Sequence, residues 1–219
     1  MIETALAMTY ERDPAAIYAQ SFATIRREAA LSRFPDDIAE VAIRLIHACG
    51  MVDLADDIVF AADVAKAGQA ALANGAPILC DAEMVGRGII RRGLAAESQI
   101  LCTLNDPNVP AMAKSLSTTR SAAATELWQD HLDGAIVAIG NAPTALFHLL
   151  EGLDRGWPRP AVILGLPVGF VGAAESKAAL ADNPRGIPFL TVRGRRGGSA
   201  MAAAAVNALS LGLKGDGRC

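Results

Sequence analysis

Ala135-Ile136-Val137-Ala138-Ile139-Gly140-Asn141-Ala142-Pro143 decides the fold. Five apolar residues without a charge are too short for a buried helix and read as a strand covered on both faces. The chain then turns through Gly-Asn, and Pro143 suits the first turn of a helix, where a missing N–H costs nothing. The same unit recurs on either side. Residues 78–80 form an apolar run leading into Asp81-Ala82-Glu83, and 161–164 leads into a glycine-rich loop at 165–172 and a helix through Leu180. Residues 189–192 lead into 194–198 and a last helix over 199–211, and 100–104 is a further strand. A polar loop with Pro107 and Pro110 follows it, then a helix through Trp128. Apolar strands alternating with helices of about ten residues predict βαβ units. The expected fold is α/β, a single domain over residues 1–212 with a mainly parallel central sheet, helices on both faces and a helical N-terminal portion. Residues 213–219 are expected to be a tail.

The N-terminal portion begins with Asp13-Pro14, an N-cap and first-turn pair, followed by Tyr18, Phe22, Ile25 and Ala29 at helical spacing, with Ser21 off that stripe. A second helix starts at Pro35 and ends in Arg44-Leu45-Ile46-His47-Ala48-Cys49-Gly50. Advancing about 100° per residue from Ile38, the residues Val41, Ala42, Leu45, Ile46 and Cys49 fall within about 80° of it. His47 comes out at about 180°, beside Glu40, Arg44 and Met51. The imidazole therefore points away from its own helix's packed face, just before a glycine stop. Solvation is the ordinary fate of such a histidine. Arg44 at i−3 disfavours its protonation and the helix C-terminus favours it, a balance suited to a group that exchanges a proton near neutral pH. His131, between Asp130 and Asp133, reads as a solvated partner, and His148 as a packed residue.

The chain has 219 residues, 52% of them apolar, enough for a sizeable core. Aromatic residues make up only 5%, too few for the stacking platforms of single-stranded nucleic-acid binders. A net charge of −3 offers no overall attraction for nucleic acid or an anionic membrane. The four cysteines (Cys49, Cys80, Cys102, Cys219) lack CxxC spacing and read as free thiols in a reducing compartment, with no metal expected. No signal-like or membrane-spanning run stands out, so a cytoplasmic protein is expected.

Ligands of open parallel sheets bind beyond the strands' carboxyl ends. The residues there are Asp81, Glu83, Thr103, Gly140, Asn141 and the loops 167–172 and 193–199. Glycines in the last two loops suggest close backbone approach to a ligand, and each loop feeds a helix N-terminus. Arg44, Arg87, Arg120, Lys177, Arg193, Arg195 and Arg196 add positive charge, so an anionic ligand is expected. GxxxxGK[ST], GxGxxG, GxSxG and HExxH are all absent, which leaves dinucleotide and triphosphate chemistry unsupported.

With these loops in view, the chain resembles the precorrin-8X methylmutases, or precorrin isomerases, of cobalamin biosynthesis. The likeness is carried by Ser32-Arg33-Phe34, Thr119-Arg120-Ser121-Ala122 and residues 44–50, 76–84, 140–147, 167–177 and 193–201, and covers about residues 10–210. The resemblance implies migration of a methyl group from C-11 to C-12 of precorrin-8X, giving hydrogenobyrinic acid without a cofactor, by a homodimer with sites near the subunit interface. It places the catalytic histidine at His47, substrate contacts at Ser21 and Arg44, and an assisting arginine at Arg120. Asn141, Gly172, Lys177, Arg193, Gly197 and Ser199 complete the expected set, on loops suited to a polycarboxylate tetrapyrrole. A cobalt-precorrin-8 methylmutase, a non-catalytic corrinoid carrier and a phosphate-binding α/β enzyme are the alternatives.

Overall fold

Six strands pair into one sheet in the computed structural model, which describes residues 10–211. They are β1 (Ile58–Phe60), β2 (Ile78–Cys80), β3 (Ile100–Leu101), β4 (Ile136–Ile139), β5 (Val162–Gly165) and β6 (Phe189–Val192), in the order β1-β6-β5-β4-β2-β3. Every pairing from β2 to β6 is parallel, and β1 runs antiparallel to β6, with Ile58 opposite Val192. The expected tail at 213–219 and Cys219 lie outside the described residues.

The central strands are buried on both faces, as their unbroken apolar runs require. Ile136 and Ala138 join one core with α2 (Asp36–Cys49), α3 (Val64–Ala73), α4 (Glu83–Gly88) and α9 (Ser199–Ser210). Val137 and Ile139, pointing the other way, join a second core with α7 (Pro143–Asp154), α8 (Ala173–Asp182) and Trp128. Half of helix α9 is alanine, which lets other elements approach closely: the Gly140 backbone comes so near that a Cβ there would lie 2.7 Å from Ser199 Cα. The first helix, α1 (Pro14–Glu28), is capped by Asp13, whose Oδ1 accepts from Ala15 N at 3.0 Å, and it lies on α2 outside the sheet layers.

Three local expectations are corrected. The run 100–104 pairs only over Ile100–Leu101, because Thr103 Oγ1 donates to the Ala124 carbonyl at 2.7 Å and the chain turns back through Asp106. The Pro107–Pro110 loop contains a helix, α5 (Val109–Ser115), with Pro110 in its first turn. The helix expected through Trp128 is α6 (Arg120–Thr125), capped by Thr119, followed by a 3-10 segment over Glu126–His131.

Strand β3 lies to one side of β2 and β4–β6 to the other, so the topological switch falls between β2 and β4. The crevice beyond those two strands is closed by the protein itself. Asp81, only 2% exposed, accepts from the backbone N–H groups of Gly140, Asn141 and Ala142 at 2.9, 2.9 and 2.6 Å. A carboxylate of the chain stands where an anionic ligand of such a fold would sit. The expectation that Asp81 faces a ligand is therefore corrected. Burial pushes its carboxyl above the usual range, against the pull of the three amides.

Candidate functional site

Helix α2 ends as the sequence indicates. Gly50 takes φ +72 and its N–H bonds the Ile46 carbonyl at 2.7 Å, so the last turn leaves His47 directed off the core. The imidazole does not stand alone in solvent. Half-buried Tyr18, Ser21 and Phe22 meet it; Ser21, about 60° from Tyr18 by helical rotation, shares their face, which corrects the expectation that it lies off the aromatic stripe. His47 Nδ1 lies 2.9 Å from Ser21 Oγ. The ring packs edge-on at 5.2 Å from Phe22 and 5.6 Å from Tyr18, centroid to centroid. Arg44 Nη1 donates to the Tyr18 hydroxyl at 2.9 Å, with its guanidinium 5.7 Å from the Phe22 ring centre.

This packing decides the electrostatic balance. Burial, and then the Arg44 charge, hold the imidazole below its ordinary value of 6.5. Neutral imidazole is thus the resting form at neutral pH. Replacing Arg44 with glutamine is expected to raise the His47 pKa in an NMR titration of its ring protons, and an unchanged value would leave burial as the whole cause.

His47 borders two clefts. One, of about 730 Å³, is lined by Tyr18, Arg44, His47, Ile90, Arg92 and Asn207, with neighbours from the end of α9. The other, of about 480 Å³, opens on the Ser21 and Gly50 side of the same ring. Among the described residues no cluster of His, Cys, Asp and Glu side chains could hold a metal ion, and no helix is long and apolar enough to cross a membrane.

The other expected residues lie elsewhere. Arg120 is exposed at the start of α6, where its Nη2 donates to the Leu104 carbonyl at 3.1 Å and to Asn105 Oδ1 at 3.3 Å. Asn141 is exposed on the loop held by Asp81, and Gly172 begins α8 at φ +79. Lys177 is 1% exposed and donates to the Arg196 carbonyl. Burial lowers its pKa to about 8, with Arg196 adding to the fall and Asp57 opposing it. It braces the loop after β6 from behind. Arg193 is exposed, its backbone N–H bonded to the Asp57 carbonyl at 2.8 Å, and Ser199 is buried as the first residue of α9.

Two readings of these loops change. A Cβ on Gly197 would overlap the carbonyl oxygens of Leu166 and Pro167, so that glycine permits loop-on-loop packing. The guanidinium of Arg196 is neutralised by Asp53, at 2.7 Å, and by Asp57. The basic set is therefore partly consumed within the fold. His148 Nε2 lies 2.6 Å from Glu126 Oε1 with its ring edge-on to Trp157, a packed residue as expected, and His131 is exposed. The sequence reading missed Tyr18, Phe22, Arg92 and Asn207. The aromatic pair at i and i+4 on either side of Ser21 is the available signal, and helical spacing alone does not show that it faces a histidine.

Comparison with known proteins adds the chemistry. The family model CbiC, precorrin-8X methylmutase, matches residues 16–211. The chain is 62% identical over 201 residues to the precorrin-8X methylmutase of Pseudomonas aeruginosa, covering 92% of this chain and 97% of that one. It is 37% identical over 199 residues to the cobalt-precorrin-8 methylmutase of Priestia megaterium, covering 90% and 88%. A solved structure of a precorrin-8x methyl mutase from Thermus thermophilus superposes with a TM-score of 0.80 at 38% identity, over 89% of this chain and 93% of that one.

Proposed function

The chain belongs to the precorrin-8X methylmutase family, an isomerase family of cobalamin biosynthesis, and on that premise we propose how its residues carry the methyl shift. The substrate is precorrin-8X and the product hydrogenobyrinic acid. The bond from the methyl group to C-11 breaks as the bond to C-12 forms, so the atoms balance within one molecule and no cofactor is required. His47 lends a proton to the macrocycle, which makes the framework electron-poor while the methyl migrates, and takes the proton back afterwards. Its arrangement with Ser21 carries this reading: Ser21 engages Nδ1, and Nε2 is the nitrogen offered to substrate. Arg44 and Arg120 hold substrate carboxylates. The imidazole rests neutral beside Arg44, and a polycarboxylate that neutralises Arg44 raises its pKa. The proton therefore arrives with the substrate.

The metal-free substrate is favoured because the chain is more like the Pseudomonas protein than the cobalt-precorrin-8 methylmutase. We further propose a cytoplasmic homodimer. Arg120 lines neither of the two clefts that border His47 and bonds instead to Leu104 and Asn105, and we place it against substrate from a second copy. Asn141, Gly172, Lys177, Arg193, Gly197 and Ser199 shape the loops that flank the bound macrocycle. The visible spectrum of purified protein mixed with precorrin-8X tests the reading. A shift to the corrin chromophore with turnover is expected, and binding without a shift would make the protein a carrier.

A further inference from the structure

One wall of the His47 cavity comes from residues 90–93, a segment that the mechanism above does not use. This segment is tied to α9 at both of its ends. Asn207 Nδ2 donates to the Gly88 carbonyl at 3.0 Å, and Asn207 Oδ1 accepts from Ile90 N at 2.8 Å. Both polar ends of one amide are thus spent on the backbone at the start of the segment. A Cβ on Gly88 would stand 2.7 Å from Ala203 Cβ, and one on Gly93 would stand 2.6 Å from Leu211 Cδ2. The two glycines let the chain lie flat on the helix at both ends.

Between these anchors a 3-10 turn, Arg91–Gly93, carries two consecutive arginines. They diverge. Arg92 lines the cavity with His47 and Arg44, whereas Arg91 lines a separate cleft with Glu83 and Cys102. We propose that Arg92 is a second carboxylate-binding residue of the site and that Asn207 is the positioning residue that holds it there. This rests on the reading that a polycarboxylate binds beside His47. Of this chain's own residues in the cavity, Arg44 alone would leave a macrocycle free to swivel about one carboxylate until a second copy presents Arg120. A second guanidinium, carried on a different element, fixes its rotation and so decides which ring atoms face the imidazole.

Equilibrium titration of hydrogenobyrinic acid, followed by its visible absorbance, tests this without turnover. Arg92→Ala is expected to raise the Kd by about 10–150-fold, the loss of one charge-assisted pair. Arg91→Ala, whose charge reaches the cavity only through solvent, should change it by less than about twofold. Arg92→Lys should recover part of the affinity, since it restores charge without the planar fork. Asn207→Leu should weaken binding in the same direction as Arg92→Ala, and the Arg92 and Arg91 pair decides the matter if that variant does not fold. Unchanged affinity in Arg92→Ala, or an equal loss in Arg91→Ala, would overturn the inference while leaving the role of His47 intact. A wild-type protein that neither binds the product nor isomerises the substrate would overturn both.

Discussion

His47→Ala is expected to lower kcat by about 10²–10⁴, the usual worth of a positioned general acid. At about 1.4 kcal/mol per tenfold, this corresponds to about 3–5 kcal/mol of transition-state stabilisation. The fall should appear in kcat with little change in KM. On the proposed reading substrate affinity comes from carboxylate contacts to arginine, and Arg44 has its bond to Tyr18 independently of the imidazole. Stability should scarcely move, because the side chain lies outside both cores. Steady-state turnover of precorrin-8X, with a melting curve beside it, separates the two effects. Native kcat in this variant would remove His47 from the chemistry.

Asp81→Ala should be the opposite kind of variant, unstable because of the fold rather than defective in proton transfer. One carboxylate satisfies three amides at the mouth of α7, two of these bonds buried. A buried donor left without an acceptor costs about 1–3 kcal/mol, so a loss of about 3 kcal/mol or more is expected. For a chain of this size that means a fall in Tm of about 6–12 °C. Asp81→Asn retains one carbonyl acceptor and should lose less. Calorimetry of the two variants checks the order. A wild-type Tm in Asp81→Ala would show that water replaces the carboxylate without cost, and that the switch crevice is open to a ligand.

The features legible in the sequence are those fixed by neighbours along the chain. The strand at 136–139, the cap at Asp13 and the stop at Gly50 each follow from a few consecutive residues. So does the outward direction of His47, which needs only helical geometry. Features that depend on distant pairing were not legible. Asp81 reads as a ligand-facing acid until β2 and β4 are known to be adjacent. The antiparallel edge strand β1 follows from its place beside β6, which three apolar residues cannot announce. Ile43, about 140° from Ile38 by helical rotation, is fully buried, because α2 is covered beyond its predicted stripe. Tyr18 and Phe22 have the spacing of core residues, and the histidine they pack against lies on a different helix. Within the expected site, Ser21, Arg44 and His47 come together. Lys177 and Gly197 lie in the loop cluster beyond β5 and β6, where each serves packing.

The pH dependence of kcat/KM between pH 5 and 9 tests the central claim most directly, because it reports the ionisation of the free protein. A proton donor must be imidazolium, so kcat/KM should rise as the pH falls through the His47 pKa. That value should lie below 6.5, since burial and Arg44 depress it, and should move up in Arg44→Gln. The corresponding limb in kcat should lie at higher pH, where bound carboxylates favour the charged ring. A limb that persists in His47→Ala would contradict a proton held and returned by this imidazole.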